Sequence, residues 1–475
     1  TDPRLAAGMA GRATINVKGL GQHLRRHVAG EGRVDRGSLA MYANDSSNFR
    51  QVPIGVVVPR TLDDVVATVR ACHRYGAPVL SRGGGTSLSG ETVNNAVVID
   101  FSKYLTGIDD VDPVARRVTA ETGVINEQLN KVTGKHGLVF GPDPSSHSRC
   151  TIGGNIGNNS CGIHSVQARH YGPGPRTSDN THALEVVTYD GERFWVGVDE
   201  EERLDEIIAA GGRKGEIYAE LRDLRDRYAD DIRAGFPSVD TLPRRVSGYN
   251  LDELLPEKGF NVARALVGTE GTCAIALRAV LLLTPGMYER TTVLVQYPGL
   301  AEAARHVTEI MAWQPIGLEA LDERLIEEQQ LKHLNVKGLH ELPRRDEGGA
   351  WLMVQFGADT ADESVSRCGE FVSWLLNRKG YAEDRVAVAK SAQEGGNSED
   401  LWAIRESGLG STAFPPDGDH WPGWEDSAVP PDRVGDYVRD LKALYAKHGL
   451  VGAMYGHLGE GCIHSRISFD LRSAD

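Results

Sequence analysis

The feature that most constrains this chain is a loop, Arg82-Gly83-Gly84-Gly85-Thr86-Ser87-Leu88-Ser89-Gly90, set between two short apolar segments, 79–81 and 97–100. Those segments read as buried strands. Three consecutive glycines allow successive backbone N–H groups to converge on one anion, and the hydroxyls of Thr86, Ser87 and Ser89 can add to them. A flexible surface loop tolerates the same glycines, but it has no need of a buried strand on each side. A dinucleotide-binding fingerprint needs a helix opening directly on the glycines, and a P-loop needs Lys-Ser or Lys-Thr after the last one. Neither pattern is present. The loop reads as a pyrophosphate cradle of another type.

The surrounding pattern alternates strand and helix. Residues 56–58 form an apolar run closed by Pro59, and 62–75 follow as an amphipathic helix with Asp63 and Asp64 in its first turn. Gly76-Ala77-Pro78 ends that helix. The alternation runs to about Pro285, which places this stretch in the α/β or α+β class. After Pro285-Gly286 the rhythm changes to strand 291–296, helix 300–313, extended segment 316–321, strand 352–356, helix 363–378 and strand 386–388. Strand–helix–strand, played twice, predicts an antiparallel sheet with helices on one face, ferredoxin-like in style. Residues 1–48 are polar and glycine-interrupted, with a helix around 19–28, and read as an N-terminal extension.

Two further clusters repeat the small-residue theme. One is Pro142-Asp143-Pro144-Ser145 followed by Cys150-Thr151-Ile152-Gly153-Gly154-Asn155-Ile156-Gly157-Asn158-Asn159-Ser160-Cys161-Gly162. The other is Val267-Gly268-Thr269-Glu270-Gly271-Thr272, and Ser247-Gly248-Tyr249-Asn250-Leu251 lies between them. Glycine supplies 55 of 475 residues, above the roughly 7% average, and the excess collects in these places. Such density suits backbone laid against a large flat cofactor.

Residues 82–90, 153–162 and 268–272 together resemble the FAD-binding domain of vanillyl-alcohol-oxidase-type (PCMH-type) flavoproteins. Within that group the likeness is to D-2-hydroxy acid dehydrogenases acting on D-lactate, D-2-hydroxyglutarate and glycolate, over about residues 50–475. The resemblance implies an α+β fold. A PCMH-type FAD-binding domain of two α/β subdomains would span 49–287. A ferredoxin-like antiparallel-sheet substrate (cap) domain would span 288–475 and is expected to continue beyond Asp475. It implies FAD with its pyrophosphate at Arg82, Gly83, Gly84, Gly85, Thr86, Ser87 and Gly90. Pro142, Ser145, Gly153, Gly154, Asn158, Ser160, Gly162, Glu270, Gly271 and Thr272 would line the rest of the groove. Covalent relatives attach the flavin through a His after the first glycines. Thr86 stands there, so non-covalent FAD is expected.

A second constellation is Gly456-His457-Leu458-Gly459-Glu460-Gly461-Cys462-Ile463-His464. Two imidazoles seven apart across a glycine-rich turn can converge on a metal, and imidazole is the commonest metal ligand. Two unrelated histidines in such a turn would have the same spacing. The family carries G-H-x-G-D-G-N-x-H here, with both histidines on Zn²⁺ or Mn²⁺ in its metal-dependent members. The resemblance therefore implies a divalent metal at His457 and His464, with Glu460 and Cys462 standing for the family's Asp and Asn. The family's third ligand, a Glu, and the His that follows it as base are expected beyond Asp475. Small-residue packing accounts for Cys161 and Cys462.

Arg405, in Leu401-Trp402-Ala403-Ile404-Arg405-Glu406, matches an Arg that the family uses for the substrate carboxylate, and a guanidinium fork suits that task. A surface Arg paired with Glu399 or Glu406 would look the same. Trp424, in Trp424-Glu425-Asp426-Ser427-Ala428-Val429-Pro430, stands where 2-hydroxyglutarate enzymes carry a Lys. Arg244 and Arg245 could replace that cation or be solvated loop charges.

Charge narrows the partners. Lys and Arg total 52 against 66 Asp and Glu, a net charge of −14, with no dense basic run, which argues against nucleic acid. The longest apolar stretch, 274–285, includes Arg278 and is too short to span a bilayer. Six scattered cysteines without a C-x-x-C pair point to a reducing cytoplasm, with a peripheral position at the inner membrane left open. The resulting expectation is an FAD-dependent dehydrogenase that oxidises a D-2-hydroxy acid, D-2-hydroxyglutarate or D-lactate, to the 2-oxo acid. Hydride passes to flavin N5 with metal assistance, and His457, His464 and Arg405 form the catalytic set. Electrons would pass to a quinone, an electron-transfer protein or a 4Fe-4S cluster in a C-terminal region outside this chain, and assembly as a homo-oligomer is expected. The alternatives are a flavin oxidase of D-lactate or glycolate using O₂, and a non-catalytic flavin-binding electron-transfer subunit.

Overall fold

Short β-branched runs build the first layer. In a computed structural model, which describes residues 15–197, 200–343, 349–389, 396–416 and 418–473, Gly55–Val58 (β2), Val79–Arg82 (β3) and Val97–Asp100 (β4) pair in parallel in the order β2-β4-β3. Leu62–Tyr75 makes the crossover between β2 and β3. Thr61 and Asp64 close a reciprocal capping box at its start, and Gly76, in the left-handed conformation, ends it. Glu31–Arg33 (β1) pairs antiparallel with β2. The segment before residue 49, expected as an extension, is thus part of this layer. Helix Val17–His27 buries Leu20 and Leu24 against Val57, Cys72 and Val97. Each such leucine contributes about 1.5–3 kcal/mol. Residues 1–14 of that segment lie outside the described residues.

The second layer is antiparallel. Arg117–Glu121 (β5), Thr181–Val187 (β7), Arg193–Val196 (β8) and Ile275–Leu282 (β9) are ordered β5-β9-β7-β8. Leu138–Val139 (β6) and Thr284–Pro285 (β10) form a separate pair. Ile152–Asn158, inside the second glycine cluster, is a short helix whose N-cap Thr151 accepts from the Gly154 amide.

The third layer is one seven-stranded antiparallel sheet. Its strands are Glu289–Tyr297 (β11), Gly317–Asp322 (β12), Ala350–Ala358 (β13), Val386–Ala389 (β14), Trp421–Ala428 (β15), Gly452–Gly456 (β16) and Cys462–Ile467 (β17), ordered β14-β11-β13-β12-β16-β17-β15. The α+β class and the antiparallel third sheet are as the sequence predicts; the placement of helices differs. Every residue of β12 and β13 is buried, a pattern that requires cover on both faces. One face packs on Leu300–Arg305, Val307–Met311, Ala361–Asn377 and Val434–Lys447, and the other on Glu323–Leu331 and Ser398–Glu406. The helix predicted over 300–313 breaks at His306 into two pieces. No helix among the described residues is long and apolar enough to cross a membrane.

Asp322 ties this sheet to its cover. Its Oδ1 accepts from the Leu325 amide at 3.0 Å, capping Glu323–Leu331, and its Oδ2 accepts from the Met454 amide at 2.9 Å on β16. Burial is the main influence on its carboxyl, which moves from 3.8 up to about 6. The folded state therefore binds this proton more tightly than the unfolded chain does. The contribution is full below the unfolded value and is lost as pH rises through about 6. Compared with Asp322→Asn, wild-type unfolding free energy should fall by up to about 3 kcal/mol between roughly pH 4 and pH 7. Denaturant titrations of both proteins across that range check this, and a constant difference would overturn it.

Candidate active site

The glycine loop leaves the carboxyl end of β3. The amides of residues 83–88 donate to no acceptor among the described residues, so a row of N–H groups remains available. Gly83 and Gly84 are required by proximity. A Cβ on Gly83 would lie 2.0 Å from Thr151 Oγ1, and one on Gly84 would lie 2.3 Å from the Arg149 carbonyl oxygen. This close approach sets the first glycine cluster against the second. Arg82 turns back from the amides. Its Nη1 donates to the Thr92 carbonyl at 3.0 Å and its Nη2 to the Asn44 carbonyl at 2.8 Å, which pins the base of the loop.

Two adjoining clefts run along this backbone. The first is lined by Arg82, Gly83, Gly153, Gly154, Asn158, Glu270 and Gly271, among others. The second is lined by residues 83–89, Gly154, Asn158, Ser160 and, from the third sheet, Glu425, Asp426 and His464. Gly83, Thr151, Gly154 and Asn158 belong to both, so the groove is continuous. The available amides and the glycine-lined walls fit a bound dinucleotide. Other residues assigned to the groove by sequence stand behind its walls. Gly90 packs on Phe49, Gly162 lies against the Asp143–Pro144 backbone, the Pro142 carbonyl accepts from Asn126 Nδ2, and Thr272 bonds Tyr249. Ser145 is flanked by Pro144 and Ser146, which do line the second cleft.

At the far end lies a buried cluster of charges. Register opposes Ala320 on β12 to Gly456 on β16, so Glu319 faces His457. Glu319 Oε1 meets His457 Nδ1 at 2.8 Å, and its Oε2 accepts from Arg405 Nε at 2.7 Å. Arg405 thus pairs with neither Glu399 nor Glu406. It is 2% exposed, lies over the Tyr455 ring at 5.0 Å, and leaves Nη2 without a partner. Glu319 carries no motif; its one signal is an acid within the apolar run Gly317–Asp322. The rings of His457 and His464 are brought to 5.0 Å, nearly perpendicular, and His464 Nδ1 meets Glu425 Oε2 at 2.9 Å.

The two loop arginines separate. Arg245 is bound to Asp252. Arg244 is buried in the cluster, where Nη1 donates to Glu460 Oε2 at 2.8 Å and Nε and Nη2 reach Asp426 Oδ1 at 3.3 and 3.2 Å. Burial pushes Glu319 up to about 8 against the pull of Arg405 and Arg244. Burial, with Arg244 and Arg405 nearby, also holds His457 well below its ordinary value. His457 is therefore neutral, with its Nδ1 engaged by Glu319. Burial alone would raise Asp426, but Arg244 and His464 outweigh it and hold the carboxyl low.

Among the described residues, Glu319, Glu425, Asp426 and Glu460 pair closely with Arg244, Arg405, His457 and His464, while Glu425 Oε1 and Glu460 Oε1 are buried without hydrogen-bond partners. Acid in excess, orphaned oxygens and two imidazoles fit a divalent cation. Among the described residues, the three ligand atoms that fall within 4.8 Å of one another belong to Asp426, Cys462 and His464; His457, expected as a ligand, is not in that set, its ring centroid lying 5.0 Å from that of His464.

Residues 53–197 match the FAD binding domain family, and residues 287–475 match the C-terminal domain of FAD linked oxidases. A D-2-hydroxyglutarate dehydrogenase of Pseudomonas putida is 29% identical over 93% of this chain and 44% of its own length. A glycolate oxidase subunit of Bacillus subtilis is 27% identical over 92% of this chain and 77% of that protein, and a D-lactate dehydrogenase of Archaeoglobus fulgidus is 26% identical over 86% and 74%. The chain spans less than half the length of the D-2-hydroxyglutarate dehydrogenases it matches. In fold it is similar to p-cresol methylhydroxylase, with a TM-score of 0.63 and 14% identity over 96% of this chain and 84% of the other. It is also similar to alkyldihydroxyacetonephosphate synthase, with a TM-score of 0.61 and 16% identity over 94% and 76%.

Removing Glu319 strands a buried guanidinium. Glu319→Ala should cost about 3–5 kcal/mol of unfolding free energy, and Glu319→Gln, which keeps the volume and one acceptor, clearly less. Chemical denaturation measures both; a loss under about 1 kcal/mol for the alanine variant would show that the bridge is not held as described.

Proposed function

We propose that this chain, which matches FAD binding and FAD linked oxidase C-terminal domains, is an FAD-dependent dehydrogenase that oxidises a D-2-hydroxy acid, D-2-hydroxyglutarate or D-lactate, to the 2-oxo acid. The observation that carries this reading is the shared cleft, in which the glycine loop lines one side and Glu425, Asp426 and His464 the other. In this reading residues 49–287 hold the cofactor and 288–475 form the cap over the substrate. The names of the relatives support the substrate class.

FAD, when bound, supplies the two-electron acceptor for the hydrogen on the substrate's carbinol carbon. The amides of residues 83–87 and the walls at Gly153, Gly154, Asn158, Ser160, Glu270 and Gly271 would hold it, with Arg82 securing the base of the loop. With Thr86 at the position of the covalent His, the attachment is non-covalent. A divalent metal, Zn²⁺ or Mn²⁺, when held by His457 and His464, supplies polarisation of the substrate's hydroxyl and carboxylate oxygens.

The protein's own residues bind and orient. The net charge of −14 repels an anionic substrate, and the unpartnered Nη2 of buried Arg405 offers a local point of attraction. Arg405 Nη2 is free for a carboxylate while Nε is fixed by Glu319, so the guanidinium plane is set before substrate arrives. Glu319 also engages His457 Nδ1, which fixes the orientation of the imidazole ring. Electrons then leave for an iron–sulfur centre, a quinone or an electron-transfer protein.

Anaerobic mixing of the purified flavoprotein with D-2-hydroxyglutarate, D-lactate and glycolate tests the reading. Bleaching of the flavin's visible band by at least one is expected; no bleaching by any of them removes it. Rapid recolouring on admitting O₂ would favour an oxidase. Metal content should fall in the His457→Ala, His464→Ala double variant, and unchanged stoichiometry counts against the metal. Acid precipitation should release the flavin to the supernatant; flavin retained in the pellet would contradict non-covalent attachment.

A further inference from the structure

Cys462 lies two residues before His464 on β17, so by strand alternation both side chains leave the same face of the sheet, away from core residue Ile463. The neighbouring β15 opposes Ala428 to Cys462 and Ser427 to Ile463, then shifts register between Trp424 and Ser427. Within that irregularity Asp426 adopts φ 47°, a left-handed conformation uncommon for a non-glycine residue. The result is a mixed donor set. Cys462 Sγ lies 3.4 Å from Asp426 Oδ1, and the ligand atoms of Asp426, Cys462 and His464 span no more than 4.8 Å. Arg244 occupies Asp426 Oδ1 and leaves Oδ2 outside its bonds.

A second observation points to a missing positive partner. Glu425 is nine-tenths buried and lines the same cleft as Asp426 and His464. Its Oε2 holds His464, yet its Oε1 has no hydrogen-bond partner among the described residues. Bonds of about 2.0–2.3 Å to a tetrahedral divalent ion place the ligand atoms roughly 3–4 Å apart, so small side-chain rotations close the observed set.

We propose that Cys462 is a thiolate ligand in a divalent-metal site shared with His464 and Asp426, and that it biases the site toward thiophilic Zn²⁺ over Mn²⁺. Ligation forms one metal–sulfur bond, breaks the S–H bond and releases its proton to the buffer; nothing is oxidised or reduced. Soft sulfur ligands select zinc, whereas an oxygen and nitrogen set accepts manganese. The proposal deepens the metal reading given above and rests on it.

Zinc-edge X-ray absorption of the zinc-loaded flavoprotein is the test. One sulfur at about 2.3 Å is expected beside nitrogen and oxygen at about 2.0–2.2 Å. That shell should vanish in Cys462→Ser and Cys462→Asn while bound zinc persists, and the preference for Zn²⁺ over Mn²⁺ in competition should fall at least about tenfold. Flavin content and thermal unfolding report whether the variants fold, and the wild-type spectrum decides the matter if they do not. Bound zinc with a nitrogen and oxygen shell alone in the wild type overturns the thiolate and leaves the two-histidine reading standing. A protein that binds no zinc overturns both.

Discussion

Glu319 sits on β12, between β13 and β16, with 1% of its surface exposed and each carboxylate oxygen committed, one to Arg405 and one to His457. A carboxylate in that position is costly unless it is paired and hydrogen-bonded, and both partners depend on it in turn. The guanidinium is fixed from below by the Tyr455 ring and from the side by Glu319. The imidazole is held through its Nδ1 by the other carboxylate oxygen. A group from helix Ser398–Glu406 and another from the turn after β16 are thereby locked to one atom pair in the middle of the sheet. Precision at the cleft comes from this bridge rather than from the loops around it.

The cofactor layers and the third sheet meet through the same chemistry. Arg244 belongs to the loop before residues 247–251 and ends between Asp426 and Glu460 of the third sheet, fully desolvated. On the opposite wall the packing is steric: glycines at 83 and 84 admit the Thr151 side chain and the Arg149 carbonyl where a Cβ would collide. One wall is thus set by charge and the other by the absence of side chains. A long, narrow groove between them suits a ligand that is flat and anionic along part of its length.

Much of this was legible in the residues, and the reasons are local. Helix Leu62–Tyr75 carries its own capping box and its own terminating glycine, and strands Val79–Arg82 and Val97–Asp100 announce themselves as β-branched runs. The glycine loop and the paired histidines are short motifs with contiguous spacing. What stayed hidden is long in sequence separation. Glu319 meets Arg405 across 86 positions and His457 across 138, and Arg244 meets Glu460 across 216. No periodicity encodes such pairings. The second covered face of the third sheet was hidden for a related reason: complete burial of β13 looks the same in sequence as an ordinary apolar strand. Helix Val17–His27, mostly polar, shows its role only once Val57 and Cys72 are seen beneath it.

The third sheet places its contributions to the cluster unequally. Glu319, His457 and His464 are carried by or beside interior strands with neighbours on both sides, whereas Glu425 and Asp426 ride on β15, which has a neighbour only at β17 and an interrupted register. An outer strand of this kind can change sequence, or gain and lose a residue at a bulge, without disturbing the packed interior. Trp424 stands on that same strand, 44% exposed. The architecture therefore separates a fixed part from an adjustable one: substitutions confined to β15 reshape one wall of the cleft, while the packed interior that holds Arg405 and the imidazoles keeps its geometry.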